Sequence, residues 1–398
     1  MWVTINKRQS TEIDNMVATS LLLIYPEENL LERKVFKSAF INDHIEFKAL
    51  VAECSKILIP WQMFFLDLNN FKKQMEHIES QRQDKVSSKL VAKRIGSGKV
   101  TSKRIIDRLI RQQNFLVKIG KFESNKICGS IKNLSNFNAA NKLVELLKLD
   151  IEKFWQYSSK KTALEYLINL AENANINVSR GVLANKLLPN HRVVPSKVYR
   201  NTSGFVIKDD LVPYIFIPSE INPDEVESRQ IYTLIYLLVV IGLDKYDYFL
   251  ESDFTTKITK ATGVSRILHS VTTELLIPRA ETKAISGSEL TNDDVQRLSL
   301  KFKVSPLALI TTLLIRKVIV KEKYDELKPP PFLPNKIVRR IRTAKVSTSV
   351  EKFCGGKSFK AINGSIKSNL ITKTQAQYLI FGYINKKGYV NYCKELGL

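Results

Sequence analysis

The chain has little cysteine and little histidine, and neither residue type is grouped. No C-x-x-C pair occurs among the four cysteines, Cys54, Cys128, Cys354 and Cys393. A disulfide framework and a zinc ribbon both need such grouping, so neither is expected. The four histidines are His44, His77, His191 and His269. No two of them lie four residues apart, the spacing at which they could bind one metal ion from the same helix face. Scattered single cysteines are typical of the reducing cytoplasm.

Long apolar runs are also missing. The longest, Ile231 to Leu243, has 13 residues and is interrupted by Thr233. A bilayer-spanning helix needs about 20 apolar residues, so this run predicts a helix in a protein core. The first residues, MWVTINKRQSTEIDN, lack the apolar centre of a signal peptide. We therefore expect a cytoplasmic protein without membrane contact.

Acidic residues are few compared with basic ones. The chain carries 62 Lys and Arg against 39 Asp and Glu, a formal charge of +23. The excess is concentrated in two segments: residues 72–126 hold fifteen basic and five acidic residues, and residues 333–398 hold thirteen and two. Such clustering favours a nucleic acid, DNA or RNA, over a solvated basic surface, and double-stranded DNA is the expected partner. The predicted phosphate contacts are Lys103, Arg104, Arg108, Arg111, Arg339, Arg340, Arg342 and Lys345.

Neither the phosphate-binding loop nor the nucleophile elbow of hydrolases occurs in this sequence. RIGSGKVTSKR, residues 94–104, is similar to a phosphate-binding loop, yet Val100 follows Lys99 and no glycine stands five residues before Gly98. A flexible basic loop is the better interpretation. No G-x-S-x-G nucleophile elbow occurs. The sequence therefore implies no cofactor.

A chain of 398 residues predicts several domains. The pattern indicates helices at residues 1–70, a basic helical connector at 71–150, a strand-containing domain at 151–328 and a basic helical extension at 329–398. SGFVIKDDLVPYIFIPSEI predicts two strands joined by a turn at Lys208–Asp210. RQIYTLIYLLVVIGLD predicts a fully buried helix, and Thr291 or Asn292 is the expected N-cap of a later helix pair.

Four of these segments occur in the order found in one known family. SGFVIKDDLVPYIFIP is similar to a strand pair that precedes a helix reading F-T-L-A-H-E-L-x-H, and RQIYTLIYLLVVIGL is similar to that helix. VTTELLIPRAE is similar to A-A-E-L-L-M-P, and LSLKFKVSPLALITTLL is similar to L-A-x-x-F-x-V-S-x-x-A-L. The chain thus resembles the ImmA/IrrE-type metallo-endopeptidases. The resemblance implies an α+β fold with a helix-turn-helix-like N-terminal domain, a zincin-like peptidase domain with a small sheet, and a helical C-terminal extension.

The zinc site of that family does not carry over. In H-E-x-x-H two histidines one helical turn apart bind zinc, and the glutamate activates a water molecule. The matching positions, with the third ligand last, are Tyr236, Leu237, Val240 and Ile267. Tyrosine is a poor ligand at neutral pH and the aliphatic residues have no lone pairs. His269 and Glu274 are the best substitute pair, but their spacing predicts different helix faces. We therefore expect a pseudopeptidase without catalytic residues, metal or cofactor.

The resemblance implies a regulator of transcription encoded by a phage or other mobile element. It would bind DNA through its basic parts and hold a repressor-type partner protein in its metal-free cleft. Two alternatives remain open. The first is a protein-interaction module, such as an antitoxin or a defence or anti-defence component, that binds no nucleic acid. The second is a zinc metallo-endopeptidase with non-standard ligands.

Overall fold

A computed structural model describes residues 1–5, 9–23, 30–57, 59–87, 102–181, 204–218, 226–248, 262–329, 345–382 and 384–398. These residues are mostly helical and form two small mixed sheets, an α+β arrangement in the general sense. The strands are β1 (Trp2–Ile5), β2 (Gln9–Glu12), β3 (His44–Glu46), β4 (Asn177–Arg180), β5 (Phe205–Ile207) and β6 (Tyr214–Ile217). Short 3₁₀ helices lie at Leu30–Glu32 and Trp61–Phe65.

The α-helices follow one another along the described chain. The first nine are α1 (Asn15–Leu23), α2 (Lys34–Asn42), α3 (Phe47–Ile57), α4 (Leu68–Lys85), α5 (Ser102–Ile119), α6 (Asn136–Leu147), α7 (Ile151–Gln156), α8 (Lys160–Asn173) and α9 (Val226–Leu243). They are followed by α10 (Gly263–Leu276), α11 (Arg279–Lys283), α12 (Asn292–Phe302), α13 (Pro306–Ile315), α14 (Lys321–Leu327), α15 (Val346–Cys354), α16 (Gly356–Lys367), α17 (Lys373–Phe381) and α18 (Lys386–Leu396).

The N-terminal residues build a small core around the first sheet. Strand β1 is central, with β2 antiparallel on one side and β3 parallel on the other. Val3, Phe36 and Phe64 are fully buried in this core together with helices α1 to α3. The sequence pattern predicts only helices here and misses these strands. They are three or four residues long, too short for the period-two pattern of a strand to be recognised.

The second sheet confirms the predicted strand, turn and strand. Strands β5 and β6 pair antiparallel with Phe205 opposite Phe216. The Asp209 carboxylate accepts hydrogen bonds from the backbone N–H groups of Leu211 (3.0 Å) and Val212 (2.9 Å), which closes the turn. Strand β4 adds to β6 in parallel, so the strand order is β4-β6-β5.

Both faces of this sheet are covered, as its alternating side chains require. Val206 and Ile215 point to one side and join the large core around α9. Phe205 and Phe216 point to the other side and pack against α5, whose apolar stripe is buried as predicted. Successive residues of a strand face opposite sides, so a strand with no polar face needs a layer of helices on each side.

Helix α9 is the centre of the largest core. This core gathers buried side chains from Ile127 to Leu327 and includes helices α6 to α10 and α12 to α14. Residues 127–149, which the sequence pattern assigns to the connector, therefore contribute to the same core as residues 151–328. The chain approaches α9 closely at Gly204, where a Cβ atom would lie 2.7 Å from Thr233 Cγ2. Only glycine fits this contact.

The last four helices, α15 to α18, form a core of their own that docks on the sheet. The Asn177 side-chain amide of β4 donates to the Cys354 carbonyl (2.7 Å), and Glu172 accepts from the backbone N–H of Gly356 (2.6 Å). Gly355 joins α15 to α16 with φ of 79°, and a Cβ there would meet Asn177 at 2.3 Å. The C-terminal helices thereby cover strand β4, which lies at the edge of its sheet.

Within the described residues, no single helix combines the length and apolar character needed to cross a membrane. Helices α12 and α13 pass that test only as a pair, and the pair is bent by 99°.

Candidate functional site

Helix α9 places the three matched zincin positions inside the protein. Tyr236, Leu237 and Val240 are all buried. Leu237 and Val240 are fully buried members of the large hydrophobic core. Burial raises the pKa of the Tyr236 hydroxyl above its ordinary value, so it stays protonated at neutral pH. These three positions supply no imidazole and no carboxylate.

The fourth matched position does not face this centre. Ile267 is 42% exposed, whereas His269 on the same helix, α10, is 6% exposed and turns inward. The His269 ring lies 5.1 Å from the Tyr236 ring, and its Nδ1 is 2.9 Å from the Tyr232 hydroxyl. Two residues along a helix differ by about 200° in direction, which explains why one is outside and the other inside. The residue of α10 that lies beside Tyr236 is therefore His269, and Ile267 faces away from this centre.

His269 is held as a neutral ring. Burial lowers its pKa to about 4, because the charged imidazolium would lose its hydration. Tyr232 engages Nδ1, and no group of the described chain hydrogen-bonds to Nε2. His269 is also one of the residues that line a cleft in the surface.

Glu274 lines the same cleft as His269, although their spacing predicts different helix faces. Its carboxylate accepts from the Arg279 backbone N–H (2.9 Å) and pairs with the guanidinium groups of Arg279 (3.2 Å) and Arg316 (3.3 Å). Among the described residues, no three His, Cys, Asp or Glu side chains come together as a metal site would need. The Glu274 oxygens are directed at cations of the protein itself.

The cleft has a volume of about 660 Å³ and lies between α10, α11 and the end of α13. Five cationic side chains line it: Arg266, Arg279, Lys283, Arg316 and Lys317. Among the described residues of this lining, Glu274 is the one that carries a carboxylate. Sequence reasoning misses these cations because they come from separate segments spread over some fifty residues. In the sequence these cations are isolated basic residues near helix ends. Basic residues are common there because they stabilise the helix dipole, so their presence does not indicate a binding site.

Two of the predicted phosphate contacts lie inside the protein or partly so. Arg108 is 3% exposed, donates to the Ile380 carbonyl and lies over the Phe353 ring at 4.0 Å from its centroid. It joins α5 to the C-terminal helices, so the prediction that it contacts nucleic acid is wrong. Arg111, on the same helix, is half-buried.

The remaining predicted contacts divide between one exposed residue and residues outside the described part. Lys345 is exposed at the start of α15. The side chains of Lys103 and Arg104, and the whole of Arg339, Arg340 and Arg342, lie outside the described residues.

The C-terminal helices carry further exposed cations. Residues 345–398 contain nine lysines and two glutamates, and eight of the nine lysines are exposed. One of the two acids, Glu395, caps the start of α15 by accepting from the backbone N–H groups of Val346 (3.2 Å) and Ser347 (2.7 Å). The outer surface of α15 to α18 is thus strongly positive.

Comparison with protein-family models, with curated proteins and with solved structures finds no match for this chain.

Proposed function

We propose that the chain is a non-catalytic regulator that binds double-stranded DNA through its basic C-terminal helices. The observation that carries this proposal is the exposure of eight lysines on α15 to α18 and their immediate ends, with only two glutamates in the same segment. Exposed cations at this density neutralise phosphates and release counterions, which gives affinity without need of a base-specific contact.

The peptidase-like part supports a regulatory role over a catalytic one. Its central helix keeps the apolar packing of the resembled family and has Tyr236, Leu237 and Val240 where that family has its two histidines and glutamate. The proposal therefore treats the domain as an ImmA/IrrE-like pseudopeptidase, preceded by a helix-turn-helix-like segment. A repressor-type protein of a phage or mobile element is the proposed partner of the domain.

The first test is the binding of a fluorescent DNA duplex of random sequence, followed by anisotropy at two salt concentrations. A surface that neutralises about four phosphates should lose about 150-fold in affinity between roughly 50 and 200 mM salt. Absence of binding at the lower concentration would refute the DNA-binding part of the proposal.

Matched variants locate the contact. Replacing Lys360, Lys367 and Lys373 with glutamine should weaken binding and flatten the salt dependence, since all three are exposed on α16 and α17. The control replaces three exposed lysines of the peptidase-like core with glutamine: Lys148, Lys161 and Lys245. Equal losses in both variants would show that the charge acts only as a diffuse field.

A second variant tests the predicted basic segment before α15. Replacement of Arg339, Arg340 and Arg342 with glutamine removes three positive charges and should reduce the affinity for every duplex sequence alike. Full affinity in this variant, combined with a loss in the lysine variant, would restrict the contact to the folded C-terminal helices.

A further inference from the structure

We propose that the cationic cleft between α10, α11 and α13 binds a small organic phosphate of about mononucleotide size. This site is separate from the exposed lysines of the C-terminal helices and does not depend on the proposed binding of DNA. Its positive side chains come from three segments that meet only in the folded protein: Arg266 on α10, Arg279 and Lys283 on α11, and Arg316 and Lys317 just after α13.

The charge of the cleft is unbalanced. Five cations face one carboxylate, which leaves a formal excess of four positive charges in one concavity. Arg266, Lys283 and Lys317 form no ion pair within the described chain. Like charges gathered in a concave surface concentrate the local potential, and a multivalent anion relieves their repulsion.

One of these cations is built into the protein and not simply attached to its surface. The Arg316 side chain is 11% exposed, and its guanidinium lies 3.3 Å from Glu274 Oε2 and 3.3 Å from Thr282 Oγ1. Glu274 is 5% exposed and also pairs with Arg279. The buried carboxylate therefore fixes both guanidinium groups beside the cleft. Both contacts of Arg316 are long, so its N–H groups keep capacity for a closer acceptor.

The remaining lining is polar and suits the organic part of such a ligand. Thr273 Oγ1 donates to the His269 carbonyl (2.7 Å) and Thr282 Oγ1 donates to the Arg279 carbonyl (3.0 Å). Each hydroxyl oxygen keeps lone pairs that can accept a hydrogen bond from a sugar hydroxyl or an amino group. His269 adds a neutral polar side chain to the same lining.

Size and depth favour a small molecule over the backbone of a duplex. A volume of about 660 Å³ lies within the range of clefts that enclose cofactors and nucleotides. Arg316, Glu274 and His269 are all largely buried, which is typical of a concave site for a small molecule more than of a surface for a duplex backbone. The chemistry shared by the expected ligands is a phosphate or polyphosphate group attached to a polar organic moiety.

The test is titration calorimetry of the full chain with ADP and, separately, with inorganic pyrophosphate, both without metal. We expect saturable binding of ADP with one site per chain. Replacing Arg266, Lys283 and Lys317 with glutamine should weaken it by about tenfold or more, because three exposed charges are removed from one site. The control is the Lys148, Lys161 and Lys245 glutamine variant, which should bind ADP normally.

The outcomes separate the two sources of phosphate and the two proposals. Tighter binding of ADP than of pyrophosphate would show that the organic part contributes to the affinity. Equal binding of the two would show that the cleft recognises the polyphosphate alone. Both results support the site. No saturable binding of either probe at millimolar concentration would overturn it, as would equal weakening in the control. Binding of ADP by a protein that binds no duplex would reject the proposed function and retain the cleft.

Discussion

The buried side chain of Arg108 gives the sharpest test of the architecture. Because Arg108 donates to the Ile380 carbonyl and lies over Phe353, its replacement should loosen the C-terminal helices and leave nucleic-acid contacts intact. A phosphate-binding arginine would do the opposite. The informative variant is Arg108→Met, which keeps the apolar stem and removes the guanidinium.

The expected magnitude follows from the contacts that are lost. A hydrogen bond from a charged donor contributes about 1.5 to 3 kcal/mol, and a desolvated cation–π contact contributes about 1 to 2 kcal/mol. Removal of a buried charge also recovers part of its desolvation cost. We therefore expect a net loss of about 2 kcal/mol in the free energy that holds the C-terminal helices closed, which corresponds to about 30-fold more frequent opening.

Hydrogen exchange followed by mass spectrometry measures this opening locally. Local measurement matters because a chain with several cores need not unfold in one step. Amides of α15 and α17 should exchange about 30-fold faster in Arg108→Met, with DNA affinity unchanged. Lys118→Met, an exposed position on the same helix, should change neither property. Unchanged exchange together with weaker DNA binding in Arg108→Met would refute the structural role.

Two further predictions concern the buried centre around Tyr236 and His269. The His269 pKa of about 4 lies below its ordinary value of 6.5, so the folded state favours the neutral ring. The free energy of unfolding linked to His269 protonation, about 3 kcal/mol, is fully present above pH 6.5 and is lost as the pH falls toward 4. His269→Gln should remove this part of the pH dependence of urea unfolding. An unchanged pH profile in this variant would contradict the burial of His269. The triple variant Tyr236→His, Leu237→Glu, Val240→His should gain no zinc-dependent cleavage, because Ile267 faces solvent and supplies no further ligand. It should also unfold more easily, because it places a carboxylate in the hydrophobic core. Stoichiometric zinc and chelator-sensitive proteolysis in that variant would contradict the placement of the ligand positions.

The elements predicted correctly from the sequence are those whose signal is local. The β5–β6 turn depends on Asp209 two and three residues before the N–H groups that it binds. The start of α12 depends on Thr291 and Asp294, which form a reciprocal capping box. Helix α9 is apolar on all sides, and only a position at the centre of a core satisfies such a helix. In each case the residues that carry the information are neighbours in the chain.

By itself, the sequence determined the α+β class, the buried helix α9, the β5–β6 pair and the excess of positive charge. The tertiary structure alone decided where that charge lies. Arg108 and Lys360 are similar in sequence terms, yet one is buried against the Ile380 carbonyl and the other is exposed. The cleft, likewise, exists only because α10, α11 and the end of α13 meet in space. Local pattern fixes helices and turns, whereas the surroundings of a long charged side chain depend on contacts between residues far apart in the chain.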